Sequence, residues 1–268
     1  MFKNLKNIFF YYIVYNKNMS ISTTHLVINS KNRTSDSKSS TNFTYYIGQP
    51  IIVSNIVLKS ISIPNTCYNI TSKNNTLVVN INGTVHTIVV TEGQYTLLQL
   101  INVLEANFLL YGSILNITQN PNTDRLTFTS DVLFEIVLSV FNTLNIVLGF
   151  LNILDSPSLV KTTINQPKLQ GPLNFYVLSK VLGIGSNGRF SKGVQDAYLM
   201  SIPNKSEYGF VNFYEPPILD TAIQSYTTGI NAQFIDIQIT DSDLVELDLN
   251  GADIEIVYKL YIKPDTIN

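Results

Sequence analysis

Two β-branched runs, residues 77–81 and 85–90, face each other across Asn82-Gly83, and this segment constrains the fold most tightly. Asn-Gly between alternating apolar residues demands a two-residue hairpin, because both turn positions need positive φ and these two residues tolerate it. Further apolar or alternating runs fill much of the remaining chain, at 25–28, 43–47, 52–63, 114–118, 125–129, 134–138, 174–182, 197–202, 232–240 and 254–262. Pro64, with no N–H to donate, ends the longest of them. One segment changes period: Leu97, Leu100, Ile101, Leu104 and Phe108 recur at three- and four-residue spacing, Thr96 stands at the N-cap position and Gly112 at the end. This predicts one amphipathic helix, and 141–148 a second, shorter one closed by Gly149. The acids Glu246 and Asp248 alternate with Val245, Leu247 and Leu249 and read as a strand after a turn at Asp241-Ser242-Asp243. Strands do not alternate regularly with helices, which excludes a doubly wound α/β fold. The expected class is all-β, an antiparallel β-sandwich or barrel.

The 268 residues suffice for one large domain or a domain with an insertion. Prolines and glycines crowd residues 151–230 and rule out a long regular element there; that stretch reads as an inserted subdomain or as elaborated loops. Residues 1–19 read as a separate N-terminal arm, with the β-domain running from 20 to 268. Within the arm, 8–14 is apolar but far shorter than a membrane span, and no small-residue cleavage site follows it. Met19, just before the first folded pattern, is an alternative start to Met1.

Charged residues make up only 13% of the chain, against roughly 25% in ordinary soluble proteins. Such a surface is weakly protected against association, although an AT-rich genome would produce the same bias toward Asn, Ile, Lys and Tyr. The formal net charge of −2 argues against a broad basic nucleic-acid face. Its distribution is uneven: residues 1–38 carry Lys3, Lys6, Lys17, Lys31, Arg33 and Lys38 against Asp36 alone. This basic arm is either a solvated tail or a contact for an acidic partner, packaged genome or lipid headgroup.

No catalytic constellation is visible. Cys67 is the single cysteine, and His25 and His86 are the only histidines, both within expected strands. That inventory is too small for a converging imidazole metal centre. Residues 183–188 look briefly like a phosphate loop but lack the Gly-Lys-Ser/Thr ending and a following helix. Asp241, Asp243, Glu246 and Asp248 miss the EF-hand spacing. The expectation is a non-enzymatic protein with no catalytic residue, cofactor or metal.

Several short motifs, in order, resemble the penton or minor capsid proteins of virophages and related polinton-like and large double-stranded DNA viruses. They are Asn29-Ser30-Lys31-Asn32-Arg33, where the family has Asp for Asn29; Pro50 to Val57; Ile63-Pro64-Asn65-Thr66 with Tyr68-Asn69-Ile70; Glu92-Gly93-Gln94-Tyr95-Thr96; Leu148-Gly149-Phe150; and Leu247-Asp248-Leu249-Asn250-Gly251. Residues 151–230 carry no recognisable part of the pattern. The resemblance implies a single jelly roll, five copies of which close a ring at each icosahedral vertex beside trimeric double-jelly-roll major capsid proteins. Within it, Pro64, Gly93 and Gly149 look like geometry-setting positions, while Tyr68 and Tyr95 would fill the core or face a neighbour. The competing reading is a glycan-binding β-sandwich module on a virion surface, using Tyr208, Phe210, Phe213, Tyr214 and Tyr226.

Overall fold

The computed structural model describes residues 22–137, 141–151, 156–182, 198–217 and 224–263. The N-terminal arm, the glycine-rich 183–188 and the chain end lie outside them. Every strand pairing among the described residues is antiparallel, and only two α-helices accompany the strands. The all-β class is as expected, and the strand inventory is consistent with a jelly-roll β-sandwich. Neither helix is long and apolar enough to cross a membrane.

The chain divides into two compact units: one runs up to Thr66 and resumes at Pro172, the other is the uninterrupted Cys67–Gly171. The split unit holds a curled seven-stranded sheet. Its strands are β1 (Ser22–Asn29), β2 (Asn42–Pro64), β8 (Asn174–Leu178), β9 (Tyr198–Pro203), β10 (Val211–Tyr214), β11 (Gln224–Thr240) and β12 (Glu255–Ile262), in the order β1-β12-β2-β11-β8-β9 with β10 also on β2. Pairing is nested: the first strand lies on the last, Ser22 opposite Ile262, and the second strand lies between the last two. Buried residues cross this sheet in rows, such as Ile28–Ile256–Ile61 and Tyr258–Leu58.

Two expected strands, 43–47 and 52–63, are one strand. Across Gly48, Gln49 and Pro50 the ladder to β11 jumps from Tyr46/Phe234 to Ile51/Ala232, and Gly48 takes φ +102. A large register irregularity, residues 47–50 opposite Gln233 alone, absorbs these residues without ending the strand. A second irregularity explains the mixed burial further along β2. Val257 faces Ser60 but Tyr258 faces Leu58, so Lys59 is an extra residue and the buried phase moves from Ile56 and Leu58 to Ile61 and Ile63.

The contiguous unit holds β3 (Thr76–Ile81), β4 (Thr84–Val89), α1 (Leu97–Leu110), β5 (Leu115–Gln119), β6 (Leu126–Ile136), α2 (Leu144–Leu148) and β7 (Ser158–Thr162). The hairpin is as expected, with Asn82 at φ 49 and Gly83 at φ 85. Helix α1 starts at Thr96 with a reciprocal capping box: Gln99 N donates to Thr96 Oγ1, and Thr96 N to Gln99 Oε1. Its buried Leu100, Ile101, Leu104 and Phe108 join Leu77, Val79, Ile88, Phe128 and Phe134 in one core. The expected strands 125–129 and 134–138 are again one: β6 lies on β5 over its first half and on β3 over its last residues. Residues 246–249 form no strand; one bridge, Thr240 to Glu246, is all that pairs there. Asp241 caps that turn instead, its Oδ1 accepting from Asp243 N and Val245 N.

Candidate functional site

The residues singled out by the family resemblance lie at nodes where distant chain segments are tied together. Asn29 ends β1, and its side chain caps the following 3-10 turn by accepting from Lys31 N. Arg33 closes that turn with a bond to Ser30 O (2.8 Å) and pairs with Asp253 at 3.4 Å. Ser30 Oγ donates to Asp253 Oδ1 at 2.7 Å, and Ile254 N donates back to Ser30 Oγ. The motif therefore fixes the entry into β12 beside the exit from β1. Asn29 serves here without a carboxylate: its amide reaches Glu255 Oε2, an acid beside which Asp would be repelled.

Pro64 is the last residue of β2 and faces Val211. Asn65 N donates to Phe210 O, its Nδ2 to Ser206 O at 2.6 Å, and its carbonyl accepts from Gly209 N, so it frames the turn leading into β10. Thr66 Oγ1 reaches Leu249 O, and Asn250 Nδ2 returns to Thr66 O. Gly251, at φ 78, completes the reversal before β12.

In the contiguous unit Asn69, 7% exposed, is the equivalent node. Its Nδ2 donates to Tyr95 O and Leu169 O, and its Oδ1 accepts from Tyr95 N. All three of these side-chain bonds go to backbone groups around the helix cap and the closing loop. Ile70 and Gly93 exchange backbone bonds alongside, and Tyr95 OH bonds Thr91 O. Tyr68 and Tyr95 are both half-buried. Gly149 caps α2 at φ 93, and a Cβ there would sit 2.2 Å from Asn165 O. Phe150 packs on Phe128 with ring centroids 5.0 Å apart.

Two clefts accompany these nodes. In the split unit Arg33, Ser39, Thr41, Glu246, Leu247 and Asp248 line about 380 Å³. Glu246 is already held by Ser39 Oγ and Asn42 Nδ2, and Thr41 Oγ1 by Leu247 O. Thr34 and the local backbone hydrogen-bond the exposed Asp36 carboxylate and hold it below the ordinary carboxylate range, which suits a turn-forming residue. In the contiguous unit about 310 Å³ is lined by Phe150, Ile136 and the buried Lys161, whose Nζ donates to Ser156 O and lies 5.4 Å from the Phe134 ring centre. No histidine or cysteine lines either cleft, and the Ser39 hydroxyl of the first is bonded directly to the Glu246 carboxylate. His25 is exposed on β1; His86 stacks on Tyr111 at 4.1 Å; Cys67 is buried. No group of three or more metal-ligating side chains gathers among the described residues.

Of the aromatics proposed for glycan contact, Phe210 (65% exposed) and Phe213 (63%) stand out from the β10 edge, and Tyr208 lies two residues before Phe210. Sequence reasoning missed β10 itself, along with its buried anchor Asn212, which accepts from Lys205 N and donates to Pro203 O. It also missed Asp236, which caps Ser179, Lys180 and Val181 at the end of β8. An isolated acid or amide inside an apolar run was the available signal for both.

No protein-family model matches the chain, and no curated protein matches it in sequence. Among solved structures it is similar to the selenomethionine-labelled penton protein of mavirus, with a TM-score of 0.48 and 9% identity over 90% of this chain and 99% of that one.

Proposed function

We propose that this chain is a structural subunit of an icosahedral viral shell, five copies of which close each vertex beside a double-jelly-roll major capsid protein. The observation that carries the reading is the role of the ordered motif residues. Asn29, Arg33, Asn65, Asn69, Thr96 and Gly149 are spent on capping, crossing and turning the chain, and of these only Arg33 lines either of the two clefts described. Motifs that set geometry suit a protein whose product is its own shape and surface. The low charge supports the same reading, since a surface meant to be covered by neighbours needs few solubilising groups. A closed ring satisfies a head-to-tail contact without growing into a filament. In this reading the basic residues 1–19 reach the packaged genome or an adjacent subunit.

Absolute quantification of the chain in purified particles tests this: about sixty copies, five at each of twelve vertices, are expected. A few copies per particle, or none, contradicts it. A second reading, a glycan-binding surface, is favoured by the exposed Phe210 and Phe213 and makes its own prediction. Binding on a glycan array that is lost on Phe213→Ala would support it.

A further inference from the structure

The sheet of the contiguous unit has three edge strands, β4, β5 and β7, and they are finished differently. On β5 the outward Ile117 N–H is taken by the Glu105 carboxylate of α1 at 2.8 Å. On β7, Ser158 Oγ accepts from Val160 N and donates to Val160 O, so a side chain of the strand itself closes that edge. Such devices stop an edge from recruiting another strand. β4 carries no Lys, Arg, Asp, Glu or Pro, and among the described residues no comparable closure of its outward N–H groups.

The register identifies which groups β4 presents. Val90 N donates to Asn75 O, so the directly bonded pairs run 75/90, 77/88, 79/86 and 81/84. The N–H and C=O groups of Val85, Thr87 and Val89 therefore point away from β3. Among the described residues only the Tyr111 hydroxyl reaches this row, at 3.4 Å from Thr87 O. The same residues expose their side chains, Val85 by 60% and Val89 by 62%.

The outward row reads Val-Thr-Val in both directions. Laid antiparallel on a second copy about Thr87, it sets Val85 opposite Val89 of the second copy and Thr87 opposite Thr87 of the second copy. Both are favourable cross-strand pairs with no charge brought together. We propose that β4 is a two-fold pairing edge for a second copy of this chain, which joins two sheets into one continuous sheet. A two-fold contact is isologous and separate from the head-to-tail contact of a five-fold ring, so the inference stands apart from the vertex reading.

Sedimentation equilibrium of the full chain, with hydrogen exchange at the β4 amides, tests this. The wild type is expected to dimerise and to protect the amides of Val85, Thr87 and Val89. Thr87→Pro removes an N–H that the hairpin does not use, and Val89→Lys places a charge on the edge. Each should weaken the dimer by about tenfold or more while the far-ultraviolet spectrum stays unchanged. Val89→Lys and the wild-type exchange data decide the matter if the proline variant fails to fold. Rapid exchange of all three amides in the wild type overturns the inference, as does a dimer that Val89→Lys leaves intact. A ring of five with fast β4 amides would sink the pairing edge and leave the vertex reading standing; a dimer lost on substitution supports the edge without it.

Discussion

The two units reach an antiparallel sheet by opposite routes. The contiguous unit is assembled from neighbours in sequence: a two-residue hairpin, a capped helix and a strand pair around a turn. The split unit brings the two ends of the chain together, with Ser22 beside Ile262 and β2 between β11 and β12. Long-range pairings must offset loop-closure entropy before any contact rewards them, whereas local ones reward each step. The contiguous unit should therefore fold early and on its own core, while the split unit depends on every strand being present. Contacts such as Arg33–Asp253 tie together segments far apart in sequence within that unit.

The comparison breaks most visibly if β12 is removed. Ending the chain at Asp253 deletes the strand that joins β1 to β2. Hydrogen exchange should show the split unit losing cooperative protection while the core around Leu100, Phe128 and Phe134 keeps its own; equal loss in both units would refute their independence. Next in size is Gly149→Ala, which places a methyl group on Asn165 O at a positive φ. About 3 kcal/mol or more should be lost, in the contiguous unit alone, by denaturant titration followed by exchange. Asn69→Ala should cost about 1–3 kcal/mol, since it leaves part-buried backbone groups of Tyr95 and Leu169 without their side-chain partner. Asn65→Ala, which loses a single side-chain bond, should cost nearer 1 kcal/mol and act on the split unit. Arg33→Gln sits at the small end, about 1 kcal/mol or less and weaker still in high salt, because both partners of the Asp253 pair are more than a third exposed. Replacing Cys67 by Ser and both histidines by Gln should leave particle assembly intact.

Legibility followed the same division only in part. The Asn82-Gly83 hairpin, the Thr96 cap, the α1 stripe and the Gly149 stop are local signals, and each was readable. In the split unit the misreadings came from partners the sequence does not display. Residues 43–47 and 52–63 read as two strands because the register irregularity that joins them is set by β11, almost two hundred residues away. β10 was invisible because its four residues alternate exposed Val211 and Phe213 with a buried Asn212, the reverse of an apolar-in pattern. In the contiguous unit β7 was missed for a related reason: its inward residue is Lys161. Residues 246–249 alternate like a strand but are held by Ser39, Asn42 and Thr41 side chains rather than by a ladder. The motif residues were readable as important, but their partners, chiefly Asp253, Leu169 and Asn165, were not.

In the proposed function this surface is built for a closed five-fold assembly. Cryo-electron microscopy of purified particles addresses it most directly. The account predicts density at the fivefold positions into which β1–β12 of this chain can be traced in five copies per vertex. Vertices built from another chain, with this protein elsewhere in the particle or absent from it, would contradict the account.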